Sequence, residues 1–148
     1  MSLDRRLDEW KHILLSAADD RERMKLLIEI GEELKEPSTL GEPIKGCVSE
    51  AWIQGSLKQG HVMYEGWAKG LIIKGYVQLL ITLLNDLEPL HIVSSTAQMK
   101  AFIEQTHLSV SLVPSRANAF ENLYAEMLRI AQTYVYKKKR IKKLFDDI

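Results

Sequence analysis

Apolar residues recur at three- and four-residue spacing over most of this chain, and the places where that rhythm breaks divide it into elements. Leu7, Trp10, Ile13 and Leu14 share one helical face, and Met24, Leu27, Ile28 and Leu34 share another, so the N-terminal region predicts two short helices. Asp19 and Asp20 separate them. Both acids suit an N-cap, where a carboxylate accepts a free backbone N–H and meets the positive end of the helix dipole. KEPSTLGEPIKG follows, with two prolines and two glycines; it cannot continue a helix and predicts a loop. From Ser49 to Gly66 the rhythm becomes alternation. Ala51 and Ile53 alternate with polar neighbours, GSLKQG predicts a turn, and His61-Val62-Met63-Tyr64 begins the return strand of a β-hairpin.

Ile72, Ile73, Tyr76, Leu79, Leu80, Leu83, Leu84 and Leu87 then recur so densely that they predict a helix buried on much of its circumference, at the centre of the core. A short helix from Pro89 to Val93, another from Thr96 to Gln105 and a loop HLSVSLVPSR come next. The last helix carries Phe120, Leu123, Tyr124, Met127, Leu128, Ala131 and Tyr134 at helical spacing before it becomes KKKRIKKLF. The expected fold class is α+β, helices packed on a small antiparallel β-sheet. One domain is expected over 1–148, with residues 135–148 as a basic helical extension.

Composition narrows the function classes. The 148 residues are enough to bury roughly 70% of the surface of the unfolded chain without a disulfide or metal staple. Twenty basic and twenty acidic side chains cancel, so no net field steers the molecule to nucleic acid or to an anionic membrane. The apolar-rich stretch from Leu71 to Leu87 is interrupted by Lys74, Gln78, Asn85 and Asp86, too short and too polar to span a bilayer. MSLDRRLDEW is charged from the start, so no signal peptide is expected. A single cysteine excludes an internal disulfide and favours a reducing compartment, the cytoplasm.

Most catalytic chemistry finds no support in the residue pattern. His12, His61, His91 and His107 stand far apart, none at metal-ligand spacing, so no metal is expected. GEPIKG and KGLIIKG fit neither phosphate-loop spacing. No pair of acids is brought together in an apolar setting as general acid and base. KKKRIKK reads first as a solvated helix end whose cations suit the negative pole, and second as a docking patch for RNA or an acidic partner. Cys47 is left. A lone cysteine is commonly a small buried hydrophobe. Gly46 before it suits a tight projecting loop, and the loop-to-strand position is one from which a rigid scaffold displays reactive groups.

Ile44-Lys45-Gly46-Cys47, with Ser49 and then Ala51-Trp52-Ile53, resembles the signature of the SufE family of sulfur acceptors, which work beside cysteine desulfurases in iron–sulfur cluster assembly. The likeness continues in order. Leu27-Ile28-Glu29-Ile30-Gly31 with Leu34 resembles the family's N-terminal helix, Ile72-Ile73-Lys74-Gly75 the start of its central helix, and Glu88-Pro89-Leu90-His91-Ile92 its short proline-led helix. Leu112-Val113-Pro114-Ser115-Arg116-Ala117-Asn118 resembles its last signature, so the resemblance covers about residues 20 to 130. Departures are local: Val48 stands where the family generally has glutamine, Ala68-Lys69-Gly70 where it usually has Ser-Asp-Ala, and Asn118-Ala119 lacks the usual glycine.

The resemblance implies a SufE-like fold and a covalent sulfur carrier and desulfurase activator rather than a stand-alone enzyme. Cys47 would accept persulfide sulfur, and Arg116 would stabilise its charge, support the loop, or simply form a helix-start salt bridge. Gly46 and Ser49 would shape and brace the loop, Trp52 would pack in the core beside it rather than touch the partner, and Lys69 would lie on the docking face. The implied partners are a cysteine desulfurase of the SufS type and, downstream, an iron–sulfur scaffold complex. No cofactor is expected here, since the pyridoxal phosphate belongs to the desulfurase; a membrane is not expected and nucleic acid is not favoured. The alternative is a non-covalent or RNA-binding adaptor that uses the basic C-terminal helix.

Overall fold

Ser2 begins the first helix by accepting the Arg5 N–H on its hydroxyl, and α1 then runs over Leu3–Leu15. In the computed structural model, which describes residues 2–45, 50–108 and 118–147, the remaining elements are α2 (Asp20–Glu32), β1 (Ala51–Lys58), β2 (His61–Ala68), α3 (Leu71–Leu84), α4 (Pro89–Val93), α5 (Thr96–Thr106) and α6 (Ala119–Asp146). The two predicted acids divide the work at α2. Asp19 is the N-cap, its Oδ1 accepting the Glu22 N–H at 2.9 Å, while Asp20 is the first helical residue and pairs with Arg23 one turn on.

The hairpin is longer than GSLKQG suggested. Gln59 and Gly60 both have positive φ, the backbone of a two-residue turn whose twist matches that of the strands. The ladder therefore continues to Lys58 opposite His61, and Gly55-Ser56-Leu57-Lys58 belong to β1. Ala51, Ile53 and Gly55 stand opposite Ala68, Gly66 and Tyr64 on the inner face, where Ala51 and Ala68 are fully buried. The far edge of β2 is not left open: Val62 exchanges backbone hydrogen bonds with Asp86 and Leu87, and Tyr64 N–H donates to the Asn85 side chain at 2.6 Å.

α3 is the centre of the core, as its pattern predicts, with Ile72, Ile73, Tyr76, Val77, Leu79, Leu80, Leu83 and Leu84 all buried. It ends before Leu87. Asn85 turns out of the helix and Asp86 takes positive φ, so Leu87 is buried by pairing with Val62 instead. Arg6 of α1 reaches the exposed end of α3 and donates to the Leu83 and Asn85 carbonyls at 3.0 and 2.6 Å, placing a cation at the negative pole of that helix. On another side α2 touches α3 backbone to backbone. A Cβ on Gly75 would lie 2.2 Å from the Leu27 carbonyl oxygen, and one on Gly31 would lie 2.8 Å from the Gly75 nitrogen.

The inner face of the hairpin is closed by α6. Tyr64 hydroxyl donates to the Met127 carbonyl at 2.7 Å, and Tyr134 hydroxyl to the Gly55 carbonyl at 2.9 Å. Burial, then the neighbouring Tyr134 and Tyr124, push the Tyr64 phenol well above its ordinary range. Because the folded pKa is the higher one, this stability is complete below about pH 10 and is lost as the unfolded chain ionises above it. Urea unfolding at pH 9 and pH 11 should show a loss of about 1.4 kcal/mol from this group, absent in Tyr64→Phe.

Candidate functional site

Gly46, Cys47, Ser49 and Arg116 lie outside the described residues, but the chain that holds each of them is defined. Ile44 is half-buried against the core, and its N–H donates to the Ala51 carbonyl at 2.7 Å. One hydrogen bond thus closes the base of the segment. Cys47 is three residues from Ile44 and four from Ala51, so its Cα is held within about 11 Å of that base. The second tie is on the hairpin side: Glu50 carbonyl accepts the Lys69 N–H at 3.1 Å, and the Glu50 carboxylate meets Lys69 Nζ at 3.3 Å. Sequence reasoning misses Glu50, whose only signal is a position two residues past Val48. Both side chains are more than half exposed, so the ion pair adds little to stability and is open to an approaching partner.

Trp52 is half-buried, on the hairpin face opposite the fully buried Ala51, rather than packed within the core. It stands across from Trp67, whose ring carries Lys74 Nζ at 4.3 Å from the centroid. Leu71 follows at the start of α3, 59% exposed. Two indoles, a cation and an exposed leucine therefore lie beside the base of the cysteine segment, an arrangement that the spacing of Trp52 and Trp67 does not reveal until the register is known.

Arg116 is two residues before Asn118, so it is tethered within about 7 Å of the start of α6. Phe120, in the first turn of that helix, is fully buried and meets Tyr76 of α3 edge-on, centroids 5.5 Å apart and planes at 87°. The other tether, Ala51 against Ala68, leads through Lys69 and Gly70 directly into Leu71 of α3. Tyr76 is only five residues, about 7.5 Å, further along. Both segments thus spring from the same end of α3. Glu121 adds a carboxylate oxygen that is buried without a hydrogen-bond partner among the described residues, in the first turn of α6, where the helix dipole favours negative charge.

No group of three His, Cys, Asp or Glu side chains among the described residues could hold a metal ion, and none of the described helices is long and apolar enough to cross a membrane. An open groove of about 610 Å³ separates α1 from α5, lined by Asp4, Arg5, Asp8, Lys11, Gln98 and Phe102. Gln98 bonds Asp4 across it.

Helices gathered around a two-stranded hairpin, with a segment bearing the lone thiol inserted between α2 and β1, define a small α+β protein. Its relatives say which. Residues 8–131 match the SufE family, the Fe-S metabolism associated domain. An uncharacterized SufE-like protein of Synechocystis sp. is 41% identical over 113 residues, which cover 74% of this chain and 69% of that protein. The chain belongs to the SufE family, and its role lies in iron–sulfur metabolism. The solution structure of a hypothetical protein from Thermus thermophilus shares the fold, with a TM-score of 0.67 at 13% identity over 88% of this chain and 96% of that one.

Proposed function

We propose that the protein accepts sulfur from a cysteine desulfurase on Cys47 and hands it to iron–sulfur cluster assembly. The observation that carries this reading is the placement of the chain's only thiol in a short segment closed at its base by the Ile44–Ala51 hydrogen bond, within a chain of the SufE family. Such a base limits how far the thiol can lie from the Ile44–Ala51 tie, and a donor would have to meet it there.

The step is a thiol–disulfide exchange in which the Cys47 thiolate attacks the outer sulfur of a donor persulfide. A new S–S bond forms at Cys47, the donor's S–S bond breaks, and the donor cysteine leaves as thiolate. The transferred sulfur keeps its proton, and no outside oxidant is consumed. With no second cysteine in the chain, nothing intramolecular expels the cargo by closing a disulfide. Arg116, tethered at the same end of α3, would balance the charge of thiolate and persulfide or support the loop. Trp52, Trp67, Leu71 and Lys69 form the docking face in this reading, and Gly46 and Ser49 shape the segment. The protein needs no cofactor of its own, since pyridoxal phosphate serves the donor.

Intact mass spectrometry after incubation with a pyridoxal-phosphate-dependent cysteine desulfurase and cysteine tests it. An adduct of about 32 Da per sulfur atom that maps to Cys47 and is removed by reductant is expected. No adduct with any of several desulfurases, while the thiol remains open to alkylation, would overturn the carrier reading.

A further inference from the structure

The family match ends at residue 131, but α6 continues to Asp146, so its last four turns are additional to the matched domain. Its last described tie to the body is the Tyr134–Gly55 hydrogen bond. From Lys137 to Asp147 every residue is exposed. Ile141 follows Tyr134 by seven residues and Phe145 follows Ile141 by four, so both continue the face that buries Met127, Ile130 and Ala131 against the body. That face is uncovered here, with Ile141 at 47% and Phe145 at 72% exposure. Lys137, Lys138, Lys139, Arg140, Lys142 and Lys143 surround it, and none forms an ion pair with a described residue.

What would cover such a surface is limited by its direction. The apolar stripe points to the same side as the folded body, so a flat bilayer laid on it would strike the body first. A phosphate backbone would use the cations and leave Ile141 and Phe145 in water. A protein surface with carboxylates beside apolar side chains uses both, and the chain itself has one. Residues 1–50 hold twelve acids against eight bases, whereas residues 137–148 hold six bases against two acids, so the neutral total conceals equal and opposite ends. At the end of α2, Glu29, Glu32 and the C-cap Glu33 are exposed on the side opposite Leu27, Ile30 and Gly31 and form no described ion pair. The half-buried Leu26 and Ile28 flank that ridge.

We propose that two copies of the chain associate about a two-fold axis, the basic end of α6 in each lying across the acidic ridge of α2 in the other. Two equivalent contacts form at once, and Ile141 and Phe145 are turned away from water. The association does not depend on the sulfur chemistry of Cys47, and Cys47→Ser protein is expected to associate like the wild type.

Sedimentation equilibrium of the full chain in about 0.05 M and about 1 M salt tests this, since exposed charges are screened at the higher concentration. The expected mass at low salt is twice that of the 17.0 kDa chain, falling to one chain at high salt. Charge reversal separates specific pairing from general stickiness. Chains with Lys138→Glu and Lys142→Glu, or with Glu29→Lys and Glu33→Lys, should each be monomeric at low salt, with circular dichroism confirming that they fold. Mixed together they should form a heterodimer, because one contact is then restored with reversed sign and the other is the wild-type contact. A wild-type chain that stays monomeric, reversed chains that still pair with themselves, or a mixture that fails to recover would each overturn the proposal. So would a monomeric wild type whose basic end binds phosphatidylserine vesicles or single-stranded RNA.

Discussion

Cys47→Ser protein is expected to gain no sulfur mass from a desulfurase and cysteine, and to lose sulfur delivery to the background of the assay. The physical reason lies in the exchange itself: the incoming group must be a thiolate, and a serine hydroxyl neither ionises in the working range nor forms the S–S bond that carries the cargo. The fold should be indifferent. The substitution falls between α2 and β1, within the interval that the main-chain Ile44–Ala51 bond closes, and exchanging one sulfur for one oxygen is expected to shift stability by no more than about 1 kcal/mol. Intact mass and a urea midpoint, measured on the same preparation, report the two halves of this expectation. A variant that still raises the desulfurase's cysteine turnover would show that docking alone activates the donor and that covalent transfer is a separate act.

Gly75→Ala should be the most damaging single methyl group in the described part of the fold. In an exposed helix the same change would be favourable by about 1 kcal/mol, because alanine is the better helix former. Here the added carbon would lie 2.2 Å from the Leu27 carbonyl oxygen and 2.8 Å from its carbon, both main-chain atoms that no rotamer change can remove. α2 and α3 must move apart, opening the packing around Leu27, Ile30 and Ile73; overpacking of this kind costs about 3 kcal/mol. Thermal or urea denaturation followed by circular dichroism measures it. An unchanged or raised midpoint would show that the two helices separate freely. Gly31→Ala, whose Cβ would lie 2.8 Å from the Gly75 nitrogen, should cost less and in the same direction.

That contact marks a boundary of what the sequence makes legible. Leu27 to Gly31 and Ile72 to Gly75 stand out as two of the family's motifs, and α3 follows from its apolar rhythm alone, yet nothing in either pattern says that the two glycines face each other. Local periodicity reports which side of an element is buried and is silent about what buries it. Arg6 is the same case: a charged residue in a polar N-terminal stretch turns out to hold the Leu83 and Asn85 carbonyls, 77 and 79 residues away. GSLKQG misplaces the turn because Gly55 attracts attention as a turn residue, while Gln59, which takes positive φ beside Gly60, does not. Leu87 keeps the helical rhythm but is buried by a strand. As for the site, Cys47 and Arg116 are legible as residue types in a motif. The Glu50–Lys69 pair and the Trp52–Trp67–Lys74 cluster need the strand register, which the twofold alternation specifies only once the turn is known.

The bond between Ile44 and Ala51 uses main-chain atoms alone, and so does the bond between Lys69 and Glu50. Neither asks anything of the side chains in the interval they close. Substitution there is therefore cheap in evolutionary terms: the family's usual glutamine can give way to Val48, and the acid of Ser-Asp-Ala to Lys69, without loosening the frame on which the thiol is mounted. If the proposed transfer holds, a lineage can retune which donor it recognises, residue by residue, while the frame is inherited unchanged.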